Sequence, residues 1–403
     1  MNKNIYLKNN ISSKYFNKIL YIKDEKKINK IIDNIISSLN FKKDSFHSLS
    51  KKFNFNFKYS DLVKFNKYKS VVIIGMGGSS LGAEAIYSFC NDKIKKNFIF
   101  FNDLDQQKIE KVKKNIDLKK SLFIIISKSG NTIETLINSN LFKNKINKNN
   151  TIIITEKKTN LLNSFAKNKK ITCFNHKDYI GGRYSVLSEV GMIPAYFMGL
   201  KINDFRKNLL DFFQTKKKNL LLSNVIKLSH IYRYRKINSI ILLNYAPEVN
   251  EFLYWSQQLI AESLGKKGKG ILPVVSPAPK DHHSLLQLYL DGPRDKLFYI
   301  FSLKSKKKMK LNKNVFGKKF NYVENKNLSK AKEAQKNALI QTLKSKNIPY
   351  QEFIIKKNNE ETLGELFSYL IMETTLIGKL LGINPFDQPA VDQVKVLTKK
   401  YLS

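Results

Sequence analysis

Cysteine is scarce in this 403-residue chain, and so are tryptophan, acidic side chains and long apolar runs. Two cysteines, Cys90 and Cys173, cannot build a disulfide framework, and neither stands in a CxxC or Cys/His pattern of the kind that binds zinc. No stretch approaches the roughly 18–20 uninterrupted apolar residues that span a bilayer, so no membrane partner is expected. The opening MNKNIYLKNN lacks the apolar segment and small-residue cleavage site of a secretory signal, and a cytoplasmic location is expected. Carboxylates are outnumbered: 72 Lys and Arg face 32 Asp and Glu, a net charge of +40. Such an excess ordinarily points to nucleic acid or an anionic surface. Here it is spread from end to end in short Lys/Asn clusters such as KKNNEE, NKINKNN and KSKKKMKLNKN. No basic stripe interleaved with aromatics stands out at one place, and no nucleic-acid partner is expected.

What is present is enough for a folded core. A hydrophobic fraction of 42% lies well above that of disordered chains, and the length suits two domains. A helix is expected around Lys26–Leu39. Short runs rich in Ile, Val and Phe follow at Val71–Ile74, Phe98–Phe101, Leu122–Ile126, Thr151–Ile154 and Ile171–Phe174, separated by polar or helix-like stretches. Fully apolar strands alternating with helices imply a parallel sheet covered on both faces. After a helical region from Val186 to Arg235, a second alternation runs through Ile240–Leu243, Ile271–Val275, Leu297–Phe301 and Tyr350–Ile355. It ends in a long helical pattern at Glu360–Leu381. The fold class is therefore α/β, two three-layer αβα sandwiches in tandem with parallel sheets. The expected division is a helical segment 1–60, a first α/β domain 61–200 and a second 201–403. The Lys-rich Lys304–Lys319 has no periodicity and is expected to be a solvated excursion.

Two strand-to-helix turns carry chemistry. In VVIIGMGGSSLG, Val71–Gly82, the glycines let the backbone bend and approach an anion, while Ser79 and Ser80 offer hydroxyls at a helix start. A dinucleotide site is the rival, but Ser80 stands where G-x-G-x-x-G needs glycine. A tight turn without a ligand is the other. In IIISKSGNTIET, Ile124–Thr135, the hydroxyls of Ser127, Ser129 and Thr132 join Lys128 around helix-start amides. That set suits the three acceptor oxygens of a phosphate monoester; ordinary N-capping is the alternative. Two such turns at carboxyl ends of strands in one parallel sheet favour a phosphate ligand.

Four further motifs follow in order: GGRYSVLSEVG from Gly181, YWSQQLIAESLGK at Tyr254–Lys266, DHHSLLQLYLDGPRD at Asp281–Asp295 and NPFDQPAVDQVK at Asn384–Lys395. With the two turns they resemble the sugar-isomerase (SIS) fold and, in order and spacing, the glucose-6-phosphate isomerase family over residues 65 to 400. The resemblance implies reversible isomerisation of glucose 6-phosphate and fructose 6-phosphate through a cis-enediolate. It also implies sugar-phosphate substrates, a homodimer, and no metal or cofactor. That chemistry needs a carboxylate base near a carbon-bound proton and positive charge near the developing oxyanion.

The resemblance assigns the base to Glu262, in the last turn of a helix that Gly265 ends; without the motif it reads as a surface glutamate. Gln258 lies one turn earlier on the same face and matches an active-site glutamine. Arg183 follows a Gly-Gly pair, and its planar, permanently charged guanidinium suits an enediolate or a carboxylate. His283 would open the sugar ring, with adjacent His282 the competitor. Gln388 would touch the phosphate and Lys395 assist ring opening, although Lys395 alone reads as a surface lysine. Gly78, Ser79, Ser127, Lys128, Ser129 and Thr132 would bind the substrate. The sequence also departs from the family. Ser129-Gly130-Asn131-Thr132 is similar to dual phosphoglucose/phosphomannose isomerases, and Ala390 and Asp392 replace the commoner Gly and Glu. A non-catalytic sugar-phosphate sensor is the rival of another class, which retention of Glu262, Arg183, His283 and Lys395 argues against.

Overall fold

The computed structural model describes residues 4–403 except 40, 42, 214, 235 and 305–308, so Arg235 and part of Lys304–Lys319 lie outside the described residues. Among the described residues, ten strands form two sheets: β1 Ile5–Asn10, β2 Ser70–Ile74, β3 Asn97–Phe101, β4 Ser121–Ile126, β5 Thr151–Thr155, β6 Thr172–Asn175, β7 Ser239–Asn244, β8 Leu272–Pro277, β9 Lys296–Leu303 and β10 Tyr350–Ile355. The first sheet has the order β3-β2-β4-β5-β6 and is parallel throughout. The second has the order β1-β10-β9-β7-β8, parallel except at its β1 edge.

The nine strands from β2 to β10 match the apolar runs of the sequence because both faces of each sheet are covered. In β2, Val71 and Ile73 face the core shared by the two sheets, while Val72 and Ile74 face a separate cluster under the outer helices. Successive side chains point to opposite faces, and burial on both removes any alternation. β1 is the exception. The expected N-terminal helical segment begins instead with IYLKNN, a half-polar strand pairing antiparallel with β10 from Ile5↔Ile355 to Asn10↔Tyr350. Three of its six residues are polar and Ile5 alone is fully buried, which leaves too little pattern to recognise. The following helix, Lys18–Ser38, starts earlier than expected because Asn17 caps it, accepting from the amides of Ile19 and Leu20.

The helix Glu360–Leu380 lies at the centre of the molecule, and every residue of it except Glu361 and Lys379 is buried. Asn359 caps it through the Thr362 amide. Its fully buried Glu373 accepts from Tyr299 Oη at 3.0 Å, Tyr369 Oη at 3.1 Å and Gln351 Nε2 at 3.4 Å. Gln351 in turn accepts from Asn224, which also meets Asn9 of β1. One polar thread thus ties the edge strand, β10 and the central helix together. The donors cannot offset the loss of water around a lone carboxylate, and burial pushes Glu373 up to about 7.

This shift has a defined sign. A carboxyl whose folded pKa is raised stabilises the fold least when ionised, so stability falls as pH rises from about 4.5 to about 7 and is level above. The difference amounts to about 3 kcal/mol. Urea denaturation of Glu373→Gln across pH 5–8 should show that fall flattened, with the variant the more stable form at pH 8. An unchanged fall in the variant would assign the pH dependence elsewhere.

Candidate active site

The helix Asn250–Leu264 brings Gln258 and Glu262 to one face, one turn apart, with Gln258 Nε2 donating to Glu262 Oε1 at 2.9 Å. Phe252, Trp255, Leu259 and Ile260 of the same helix are buried and fix its rotation. Across from Glu262, residues Gly182–Leu187 form a short 3-10 turn that carries Arg183. Arg183 Nη1 lies 3.1 Å from Glu262 Oε2, with the guanidinium side chain 1% and the carboxylate side chain 30% exposed.

Every donor on Arg183 is taken. Nε meets Ser263 Oγ at 2.9 Å; Nη1 meets Glu262 and, at 2.5 Å, Gln388 Oε1; Nη2 meets the carbonyls of Pro385 at 2.6 Å and Asp387 at 3.0 Å. Five N–H groups thus find five acceptors, which is what a guanidinium withdrawn from water requires. The helix 250–264, the turn 182–187 and the loop 384–388 are locked together by this one side chain. Sequence reasoning named Arg183, Glu262, Gln258 and Gln388, and the fold gathers all four.

The first turn closes over this cluster. Gly77 has φ +52°, and a Cβ there would sit 2.7 Å from Gln258 Nε2. At Gly78 a Cβ would lie 2.2 Å from the carbonyl carbon of Gly182, so the two glycine turns pack backbone to backbone. Ser79 is half-buried beside them. In the second turn, Ser127 Oγ and Thr132 Oγ1 are 2.9 Å apart, and the amides of Gly130 and Asn131 donate to Ser127 Oγ and Ser129 Oγ. Thr132 precedes the helix Ile133–Leu141 without capping it through its side chain. Lys128 turns away: its ammonium donates to the Asp178 carbonyl at 2.6 Å and stands 3.7 Å from Glu156, and burial lowers its pKa below the usual lysine range.

His283 and Lys395 both stand at the surface. His282 is committed within the chain, its Nε2 2.7 Å from Tyr245 Oη, and burial, followed by the charge of His283, lowers its pKa. His283 is exposed, as is Lys395 on the helix Asp392–Leu402. Among the described residues, no group of three or more His, Cys, Asp and Glu side chains is placed to hold a metal ion.

Sequence reasoning missed the groups that hold the loop 384–388. Lys266, four residues beyond Glu262, donates to Asn384 O at 2.6 Å, Asp387 O at 2.5 Å and Asp387 Oδ1 at 2.7 Å. Its hydrogen bond keeps the Asp387 carboxyl below the usual carboxylate range. The signal available was its place just past the helix-ending Gly265, where an ammonium favours the negative helix end. Lys266→Met should lower kcat by about tenfold with a smaller change in KM, because it loosens Arg183 while leaving the two strand-to-helix turns intact. Lys266→Arg should restore part of the loss. Parental kinetics in Lys266→Met would remove it from the positioning of Arg183.

The family model for phosphoglucose isomerase matches residues 20–403. A probable glucose-6-phosphate isomerase of Methanococcus maripaludis is 33% identical over 371 residues, covering 86% of this chain and 82% of the relative. The glucose-6-phosphate isomerase of Methanocaldococcus jannaschii is 33% identical over 351 residues, 84% of each chain. Among solved structures, a hypothetical protein of Thermus thermophilus superposes with a TM-score of 0.85 at 22% identity, over 99% of this chain and 100% of that one. A glucose-6-phosphate isomerase of Chlamydia trachomatis gives a TM-score of 0.71 at 21% identity, over 84% of this chain and 71% of that one. The sequence match along nearly its whole length shows that the chain belongs to the phosphoglucose isomerase family.

Proposed function

We propose that this chain interconverts glucose 6-phosphate and fructose 6-phosphate, in glycolysis and gluconeogenesis, by proton transfer through a cis-enediolate. The observation that carries the mechanism is the Glu262 carboxylate, partly open to solvent and held between the Gln258 amide and the buried Arg183 guanidinium. Fixing both carboxylate oxygens limits the motion that a base must arrest before it meets a C–H bond. Glu262 takes the proton from C2 and returns it to C1. Arg183 supplies buried positive charge beside the developing oxyanion. Its donors are all engaged, so a direct bond to the substrate follows exchange of Gln388 Oε1 for a substrate oxygen, which frees Gln388 to turn toward the phosphate.

The hydroxyls of Ser127, Ser129 and Thr132, with Ser79, are assigned to the phosphate. Lys128 joins them on release from Asp178. His283 and Lys395 are assigned to ring opening. The exposed His283 beside an engaged His282 supports a homodimer in which His283 serves the partner's site. The cytoplasm is the proposed compartment, and among the described residues no helix is long and apolar enough to cross a membrane.

Glu262→Gln keeps the hydrogen bond to Gln258 but cannot accept a proton. Solvent deuterium exchange at C2 of glucose 6-phosphate, followed by NMR, should fall by about 10²–10⁴ with substrate binding retained. Exchange at the parental rate would exclude Glu262 as the base. Mixed dimers of His283→Ala and Glu262→Gln subunits should recover activity at one of their two sites. If heterodimers form and stay inactive, each site is complete within one subunit.

A further inference from the structure

Residues 309–328, beyond β9, form a lobe with its own internal contacts. Its base is closed by an antiparallel bridge between Lys310 and Asn327, with Leu311 N donating to Lys326 O at 3.1 Å and Leu328 N to Met309 O at 3.0 Å. Its tip is stitched by Asn314, which accepts from Phe316 N at 2.8 Å and donates to Gly317 O at 2.7 Å and Asn321 Oδ1 at 2.6 Å. Gly317 turns the chain at φ +86° into the 3-10 turn Lys318–Val323. Phe320 braces Phe316 and Tyr322 edge-to-face at 5.5 and 5.4 Å.

A lobe so fastened would be expected to turn its apolar groups inward. Instead Met309 is 70%, Val315 82%, Phe316 78% and Tyr322 73% exposed. Around them stand Lys310, Lys313, Lys318, Lys319 and Lys326, all exposed, against one carboxylate, Glu324. Lysines and aromatics alternate along this single segment, contrary to the expectation that no basic stripe interleaved with aromatics stands at one place.

We propose that residues 309–328 dock on an anionic lipid surface, with Val315 and Phe316 entering the headgroup–acyl boundary and the lysines pairing with the lipid charge. An apolar tip ringed by cations has the composition that a negatively charged bilayer interface accepts. Single-stranded nucleic acid fits less well, because the highly exposed Val315 and Met309 have no ring face on which a base stacks. A second copy of the chain would bring five lysines against five. The absence of a spanning helix, from which no membrane partner was expected, does not bear on a peripheral contact.

Flotation with phosphatidylcholine/phosphatidylglycerol vesicles tests this with the whole chain. Binding should require the anionic lipid and weaken as salt rises. Val315→Ser/Phe316→Ser should weaken it by more than about tenfold, and Lys318→Glu/Lys319→Glu by about tenfold, both with unchanged solution isomerase activity. Phe316→Trp adds a direct probe, since the native Trp255 is buried, and its emission should shift to the blue on anionic vesicles. The proposal is overturned by failure to bind, by binding that both double variants retain, by preference for an oligonucleotide that displaces vesicles, or by loss of a dimer in the tip variant.

Discussion

The active-site architecture depends on one buried cation. Withdrawing a guanidinium from water costs several kcal/mol unless its donors are all met, and Arg183 meets five acceptors from a helix, its side chains Glu262 and Ser263, and a loop some 200 residues away in sequence, Pro385, Asp387 and Gln388. Removing any one leaves a buried N–H unpaired, so the three segments are held as a unit. The glycine turns serve the same arrangement. Gly78 has no side chain because the backbone of Gly182, next to Arg183, occupies that space. Rigidity is thereby concentrated where a proton must move between two adjacent carbons.

Around this centre the polar groups divide by task. Those that hold geometry have their donors engaged: the buried Arg183, Ser263 and Tyr184, which donates to Pro385 O at 2.8 Å, and the half-buried Lys266 beside the loop. Those assigned to the substrate keep capacity in reserve. Glu262 remains partly open, and Ser127 and Thr132 hydrogen-bond chiefly within their own turn. Lys128, bound to Asp178 and near Glu156, belongs to the first group in this conformation despite its place in the second turn. The central helix shows the same sparing use of polar groups in the core, where Glu373 threads three tyrosine and glutamine donors through an otherwise apolar interior.

On one lobe the positive charge stands beside exposed apolar side chains held by a defined set of contacts. Over much of the surface, lysines are scattered among asparagines, and the C-terminal helix Asp392–Leu402 also sets exposed Val394, Val396 and Tyr401 among Lys395, Lys399 and Lys400. On the lobe 309–328 they ring four large exposed side chains on a fastened scaffold, and such a combination is what distinguishes an interaction surface from a solvated one.

Composition and pattern alone determined the nine strands from β2 to β10, the central helix and the two glycine- and hydroxyl-rich strand-to-helix turns. Burial on both faces writes a continuous apolar run into the sequence, and a sharp turn toward an anion writes glycines and hydroxyls. Glu262, Arg183, Gln258 and Gln388 were legible as well, through motifs whose order matches the family. Strand β1 was not, since three of its six residues are polar and Ile5 alone is buried, and neither were Lys266 and Ser263, whose partners lie 118 and 80 residues away. Nor does spacing tell which of His282 and His283 is committed to Tyr245, or that Lys128 faces away from its own turn. Those outcomes rest on distances between segments remote in sequence, and such distances exist only once the two sheets have packed on their shared core.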